Sequence, residues 1–147
     1  DADSKWSFSG IDVEPLFSME EMFHVHTDPM DAASSFLGAP YRWGGRCVWG
    51  IDCSGLVQLA FMLCGKRLKR DASLQAEEGE RVPWDERKRG DLAFFKNDVG
   101  HIVHVGILKS PTQIVHASGE VRLDRLEKTG IWNGKQMTHT MAHICRI

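Results

Sequence analysis

Apolar and polar positions change their spacing partway along the chain, and that change predicts the order of elements. Residues 1 to 26 show no clear period, with Trp6, Phe8, Phe17 and Phe23 scattered among polar positions. They read as an extended arm lying on the core or as the remnant of a preceding module, and the boundary falls near residue 28. Thr27-Asp28-Pro29 then offers a capping oxygen ahead of a proline in the first turn, and Ala32, Ala33, Phe36 and Leu37 form an apolar stripe ended by Gly38. This predicts a helix of two to three turns. Pro40 and the pair Gly44-Gly45 forbid its continuation. From Ser54 onward, Leu56, Val57, Leu59, Ala60, Phe61 and Leu63 occupy nearly every side of a second helix until Gly65, the pattern of a buried element.

Beyond a polar connection containing Arg70 to Gln75, the period shortens to that of strands. Leu92 to Phe95, Ile102 to Leu108, Gln113 to Ala117, Glu120 to Leu123 and Met141 to Ile147 are the predicted strands. Helices first and strands after them indicate an α+β fold with an antiparallel sheet, not alternating βαβ units. One domain over residues 29–147 accounts for the pattern, and no internal repeat interrupts it.

Composition narrows the function. At 147 residues and 42% hydrophobic, the chain has apolar content for one good core and too little length for two ordinary domains. With a net charge of -2 and no basic stripe, nucleic acid is excluded as a partner. No apolar run is long enough to span a membrane, and no signal peptide is legible. The start at Asp1 reads as a processed or trimmed end, which leaves localisation open. Cys47, Cys53, Cys64 and Cys145 fit neither a zinc framework nor a disulfide scaffold.

Of the four, Cys53 has the most reactive setting. Asp52 supplies a cap, and Cys53 falls in the first turn of the buried helix, where free backbone N–H groups and the positive end of the dipole favour a thiolate. Ser54 and Gly55 leave the approach to sulfur open, and their N–H groups could face an oxyanion. The competing reading is a small buried hydrophobe. Cys47 in a glycine-rich loop, Cys64 at a helix C-terminus and Cys145 in an apolar strand read as structural.

A thiol nucleophile needs an imidazole base, and the base needs an orienting group. In the segment from His101 to Ile107, strand alternation places His104 with Ile102 and Gly106, and His101 with Val103, Val105 and Ile107. Gly106 leaves space beside His104, which makes His104 the candidate base; a hydrogen-bonded sheet histidine is the alternative. His116, on the following strand, is the candidate orienting group. A loop pairing Leu108 with Gln113 would put the two histidines on opposite faces, so the pairing requires a bulge, for example Leu108 opposite Thr112, which sets His104 directly opposite His116. His24, His26, His139 and His143 read as solvated or structural. His104, His116 and Cys53 could also bind zinc, the competing chemistry.

Tyr41-Arg42-Trp43-Gly44-Gly45, Asp52-Cys53-Ser54-Gly55-Leu56-Val57-Gln58, Arg89-Gly90-Asp91-Leu92-Ala93-Phe94-Phe95, His104-Val105-Gly106-Ile107 and Val115-His116-Ala117-Ser118 occur in the order and rough spacing of a known family. Over about residues 30 to 147 the chain resembles the NlpC family of papain-like cell-wall cysteine peptidases. The resemblance implies a papain-like, circularly permuted core, with N-terminal helices packed on a small antiparallel sheet. It implies Cys53 as nucleophile, His104 as base and His116 as third polar residue, with Tyr41, Asp52 and Ser54 lining the substrate site. The implied reaction cuts the γ-D-glutamyl bond to diaminopimelate or lysine, in peptidoglycan stem peptides or free murein peptides, with no metal or organic cofactor. It further implies location in the cytoplasm for recycling or in the cell envelope, and, in many members, a preceding SH3-like domain. The segment Arg70 to Gln75 resembles a family loop running past the active site, with Lys69 where a proline is common. Rival functions are an amidase or acyltransferase of the same superfold and a non-catalytic cell-wall binding module.

Overall fold

The computed structural model describes residues 28–147 in full, together with the backbone of two short strands nearer the N-terminus, β1 (Trp6–Phe8) and β2 (Ile11–Val13), which pair antiparallel. Apart from that hairpin, the arm expected over residues 1 to 26, with His24 and His26, lies outside the described residues.

Helix α1 (Pro29–Ser34) begins as its sequence demands: the Asp28 carboxylate accepts the Met30 N–H at 2.8 Å and proline occupies the first turn. It ends before the expected Gly38. Ser34 and Ser35 turn their hydroxyls back onto the carbonyls of Met30 and Ala32, and the chain runs on to Gly38 as turns. The hairpin of β3 (Arg46–Cys47) and β4 (Gly50–Ile51) follows, then helix α2 (Cys53–Met62) and the single turn α3 (Ala72–Gln75). The start of α2 is buried all round, whereas Gln58, Leu59 and Met62 are half-buried, so only its N-terminal half is a central element.

The remaining strands are β5 (Glu80–Val82), β6 (Leu92–Lys96), β7 (Ile102–Ser110), β8 (Gln113–Ser118), β9 (Glu120–Glu127), β10 (Gly130–Trp132) and β11 (Met137–Arg146). They form one antiparallel sheet in the order β10-β9-β8-β7-β6-β11-β5. A further pairing of β10 with β11 joins the two ends of the six-strand run β10 to β11, so the sheet closes on itself. The expected small sheet is therefore corrected to a seven-stranded one. The seam depends on Gly130, where φ is +155° and any Cβ would collide with the His139 carbonyl. Strands β5 and β10 are too short, and β3 and β4 too rich in glycine and charge, to show a period of two.

Closure produces two apolar compartments. Leu92, Phe94, Val105 and Ile107 pack with Met30, Leu56 and Phe61 of the helices. Ala93, Phe95, Leu108, Ile114, Leu126 and Ile131 fill the interior of the curled sheet. Alternation along β6 and β7 thus feeds both compartments, and the site lies where they meet.

Candidate active site

Cys53 opens α2 behind its Asp52 cap, and the buried Asp52 carboxylate has a full set of partners. Oδ1 accepts from the Gly55 N–H (2.7 Å) and Arg70 Nη1 (2.9 Å), and Oδ2 from the Gly44 N–H (2.9 Å) and Arg70 Nη2 (2.6 Å). Burial works to raise the Asp52 carboxyl, but Arg70 and the two N–H groups outweigh it and hold the group below the usual carboxylate range. Arg70 Nη1 also donates to Ser54 Oγ at 2.9 Å, and the buried Gln75 amide donates to the carbonyls of Ser54 (3.0 Å) and Lys69 (2.8 Å). Gly55 is required because a Cβ there would sit 2.6 Å from the Gly45 carbonyl oxygen. Asp52 and Ser54, expected along the substrate site, do line the cleft, with their polar atoms already engaged by Arg70.

The strand side presents a chain of polar groups inside the curled sheet. Phe95 pairs with His104, Gly106 with His116 and Ile114 with Asp124, so these positions share the face of the interior residues Phe95, Leu108 and Ile114. The bulge required between β7 and β8 is present between Leu108 and Ser110. The register differs from the expected example: His116 lies opposite Gly106, two residues from His104, and reaches it diagonally. His104 Nε2 and His116 Nδ1 are 2.8 Å apart, and His116 Nε2 is 2.9 Å from Asp124 Oδ2. Arg122 Nη2 donates to Asp124 Oδ1 at 3.0 Å. Gly106 makes room on the β8 side and not beside His104: a Cβ there would fall 2.7 Å from Ile114 Cδ1 and 2.9 Å from His116 Cβ.

Tautomers follow from the partners. The Asp124 carboxylate only accepts, so His116 Nε2 carries a proton and neutral His116 has its lone pair on Nδ1. His104 Nε2–H then donates to that lone pair, which leaves His104 Nδ1 as the free acceptor. Burial, aided by neighbouring His139 and His116, holds His104 well below the ordinary imidazole value. Burial lowers His116 as well, against the upward pull of Asp124. Burial also pushes the Cys53 thiol up, with Asp52 acting the same way, while the N–H groups of Val105, Ser54 and Cys53 draw it down without prevailing. The helix start draws this thiol down as expected, through the N–H groups of Cys53 and Ser54, but does not decide its net direction. Desolvation outweighs the dipole, and a neutral thiol beside a neutral imidazole is the resting form.

Cys53, His104, Tyr41, Trp43 and Arg70 border one cleft of about 480 Å³, a volume suited to a peptide of a few residues. Burial and the nearby Cys53 and Asp52 raise the Tyr41 phenol, so it stays an O–H donor at neutral pH. Three participants escaped the sequence reading, Asp124, Arg122 and His139, while Arg70 lies in the segment expected to run past the site. His139 was expected to be solvated or structural, yet its ring stacks on His104 at 4.0 Å between centroids and 21° between planes. His143 lies apart, stacked on Phe94 at 5.2 Å. Pairing across the one-residue turn at Gly119 could have revealed Asp124, which follows His116 by eight positions on the adjoining strand.

A cysteine that opens a buried helix, beside a sheet carrying a carboxylate-supported pair of histidines, is the arrangement that a cysteine peptidase domain requires. The model of the NlpC/P60 family matches residues 38–141, and the chain belongs to that family of cell-wall peptidases. It is 40% identical over 92 residues to the γ-D-glutamyl-L-lysine dipeptidyl-peptidase of Bacillus subtilis, covering 61% of this chain and 31% of that protein. It is 36% identical over 118 residues to dipeptidyl-peptidase 6 of Lysinibacillus sphaericus, covering 74% of this chain and 41% of the relative. The chain thus spans less than half the length of these two relatives. Among solved structures, an NlpC/P60 family protein from Bacillus cereus superposes with a TM-score of 0.71 at 27% identity, covering 81% of this chain and 39% of the other. Among the described residues, no helix is long and apolar enough to cross a membrane.

Proposed function

We propose that this domain is a thiol hydrolase of the papain-like, circularly permuted type, cutting the γ-D-glutamyl amide to diaminopimelate or lysine in peptidoglycan stem peptides or free murein peptides. His104 Nδ1 takes the Cys53 proton as the sulfur attacks the γ-carbonyl carbon. The oxyanion is met by N–H groups at the start of α2 and by the Tyr41 hydroxyl. His104 then returns the proton to the leaving amine. Water, deprotonated by the same nitrogen, hydrolyses the thioester and frees the sulfur. His116 and Asp124 hold His104 in the tautomer that this cycle needs, and Asp52 with Arg70 anchors the helix start and Ser54. The mechanism draws on no metal or organic cofactor.

The observation that carries the reading is the hydrogen-bonded chain from His104 through His116 to Asp124, with links of 2.8 and 2.9 Å, ending at the cleft that holds Cys53. The reading also draws on the relatives' names, one of which specifies a γ-D-glutamyl-L-lysine bond. Replacing Cys53 by Ala is expected to preserve the circular-dichroism spectrum and abolish cleavage of L-Ala-γ-D-Glu-diaminopimelate. Retained cleavage would sink the assignment, and mass analysis of the products separates hydrolysis from acyl transfer.

A further inference from the structure

We propose that His104, His116 and His139 form a binding site for a single divalent cation of the zinc class, and that filling it switches hydrolysis off. The second half rests on the proposed function; the first does not.

One nitrogen from each of the three imidazoles falls within a set whose members are all within 4.8 Å of one another. Cys53 is not part of that set, so the ligand group differs from the His104, His116 and Cys53 combination suggested by sequence. Ligating histidines are normally oriented by a hydrogen bond from the nitrogen that faces away from the ion, and such bonds exist here. His116 Nε2 is held by Asp124 at 2.9 Å, directing Nδ1 inward. His139 Nδ1 lies 2.8 Å from Thr138 Oγ1, which leaves Nε2 for the ion. His104 Nε2 already lies 2.8 Å from His116 Nδ1. Zinc binds imidazole nitrogen at about 2.0–2.1 Å in a tetrahedron, so the nitrogens must settle near 3.3 Å from one another, a tilt of rings that now stack. His139, half-buried on β11, is the least buried of the three and is the ring that would tilt. A second opening, of about 280 Å³, reaches both His104 and His139 past Val103 and Gly119 and supplies a path for the ion.

Occupancy and hydrolysis exclude each other through the proton on His104. Hydrolysis needs that proton on Nε2, donated to His116, with Nδ1 bare. Metal binding needs the lone pairs of His104 Nε2 and His116 Nδ1, so the neutral His104 ring carries its proton on Nδ1. A ring protonated there cannot accept the proton of Cys53.

The test uses the Cys53→Ala protein, whose remaining uptake cannot involve that thiol, titrated with zinc alone by calorimetry and with cobalt by absorption. The expected result is one equivalent bound, with tetrahedral cobalt bands and, in the wild-type chain as well, no thiolate-to-cobalt charge transfer. His139→Gln is expected to weaken binding by at least about 10-fold, and Thr138→Val, which leaves all three ligands in place, by about 10-fold. Absence of stoichiometric uptake, or uptake unaltered by His139→Gln in a chain with a native circular-dichroism spectrum, overturns the site. Should His139→Gln misfold, the Thr138→Val affinity decides in its place. Peptide hydrolysis that persists at one bound equivalent overturns the switch. A wild-type chain that binds the ion but never cleaves the peptide refutes the function and leaves the site standing.

Discussion

The two walls of the cleft are polar in opposite ways. The helix wall is a charged lock: Asp52 carries its full charge against Arg70 and a ring of N–H donors, and its carboxyl titrates below the usual carboxylate range. The strand wall keeps its imidazoles neutral, because burial depresses His104, His116 and His139 together, and behind them Asp124 is paired with Arg122. The lock fixes position and has no reason to exchange protons near neutrality. The strand wall instead holds its imidazoles in one hydrogen-bonded, neutral arrangement that leaves His104 Nδ1 free to accept a proton. Fixed charge and proton acceptor are thereby kept on separate elements, which come together at the cleft that Cys53 and His104 both border.

The largest effect that would break this contrast is expected from Asp124→Asn. An amide in that place can donate to His116, allowing the other tautomer and, through it, a proton on His104 Nδ1. The loss in kcat should be on the order of 10²–10⁴, by analogy with removal of an orienting carboxylate in a serine triad, with KM little changed. Equal losses for Asp124→Asn and Asp52→Asn would erase the distinction between the walls.

Next is Asp52→Ala, expected to act mainly on stability. It strips a cap and leaves Arg70 without its carboxylate, a cost of about 3 kcal/mol when one partner of a largely buried pair is removed, read as a lowered thermal midpoint. The carboxyl is depressed in the folded state, so its contribution is present above the ordinary carboxyl value of 3.8 and fades as pH falls through the folded value. The histidines act in a higher window. A depressed imidazole favours folding above the ordinary imidazole value of 6.5, and folding loses that support as pH drops towards the His139 value of about 4. Thermal midpoints should therefore decline in two separable steps. The acid limb of kcat/KM should lie well below 6.5, since His104 stays a competent base until protonated, and the alkaline limb above 9, following the raised thiol.

What sequence disclosed about these walls divides along physical lines. Caps and turn residues act locally, so Asp28, Asp52 and the helix start at Cys53 were legible. The five longer strands were legible from alternation, although their ends were not. Closure of the sheet was not, because Gly130 and its short strand take part through a contact with β11 that no local period encodes. The need for a bulge between β7 and β8 followed from parity, but its register depended on how Leu108 to Gln113 packs. The thiol's raised value was hidden for a related reason: the dipole is read from the helix start, whereas desolvation depends on everything folded over it. His139 was missed because its significance comes from β11 crossing beside β6 and β10, more than thirty residues from His104.

The smallest expected effect concerns His143, four residues from His139 on β11. Its Nε2 is buried without a hydrogen-bond partner, beside a cavity bordered by Trp84 and Met141, and burial together with Arg81 depresses its titration. Replacing it with Phe keeps the stacking on Phe94 and removes an unsatisfied polar atom, but also gives up the ring's hydrogen bond with the Ala76 backbone, so stability should change by no more than about 1 kcal/mol either way. Hydrolysis should stay within about twofold of wild type and zinc uptake should not move, whereas His139→Gln alters uptake. The same change should shrink the upper step of the pH-dependent midpoint, because one depressed imidazole has been removed from the set. Loss of hydrolysis in His143→Phe would extend the proton-bearing wall around Phe94 and blur the boundary between the sheet interior and the helix-packed compartment.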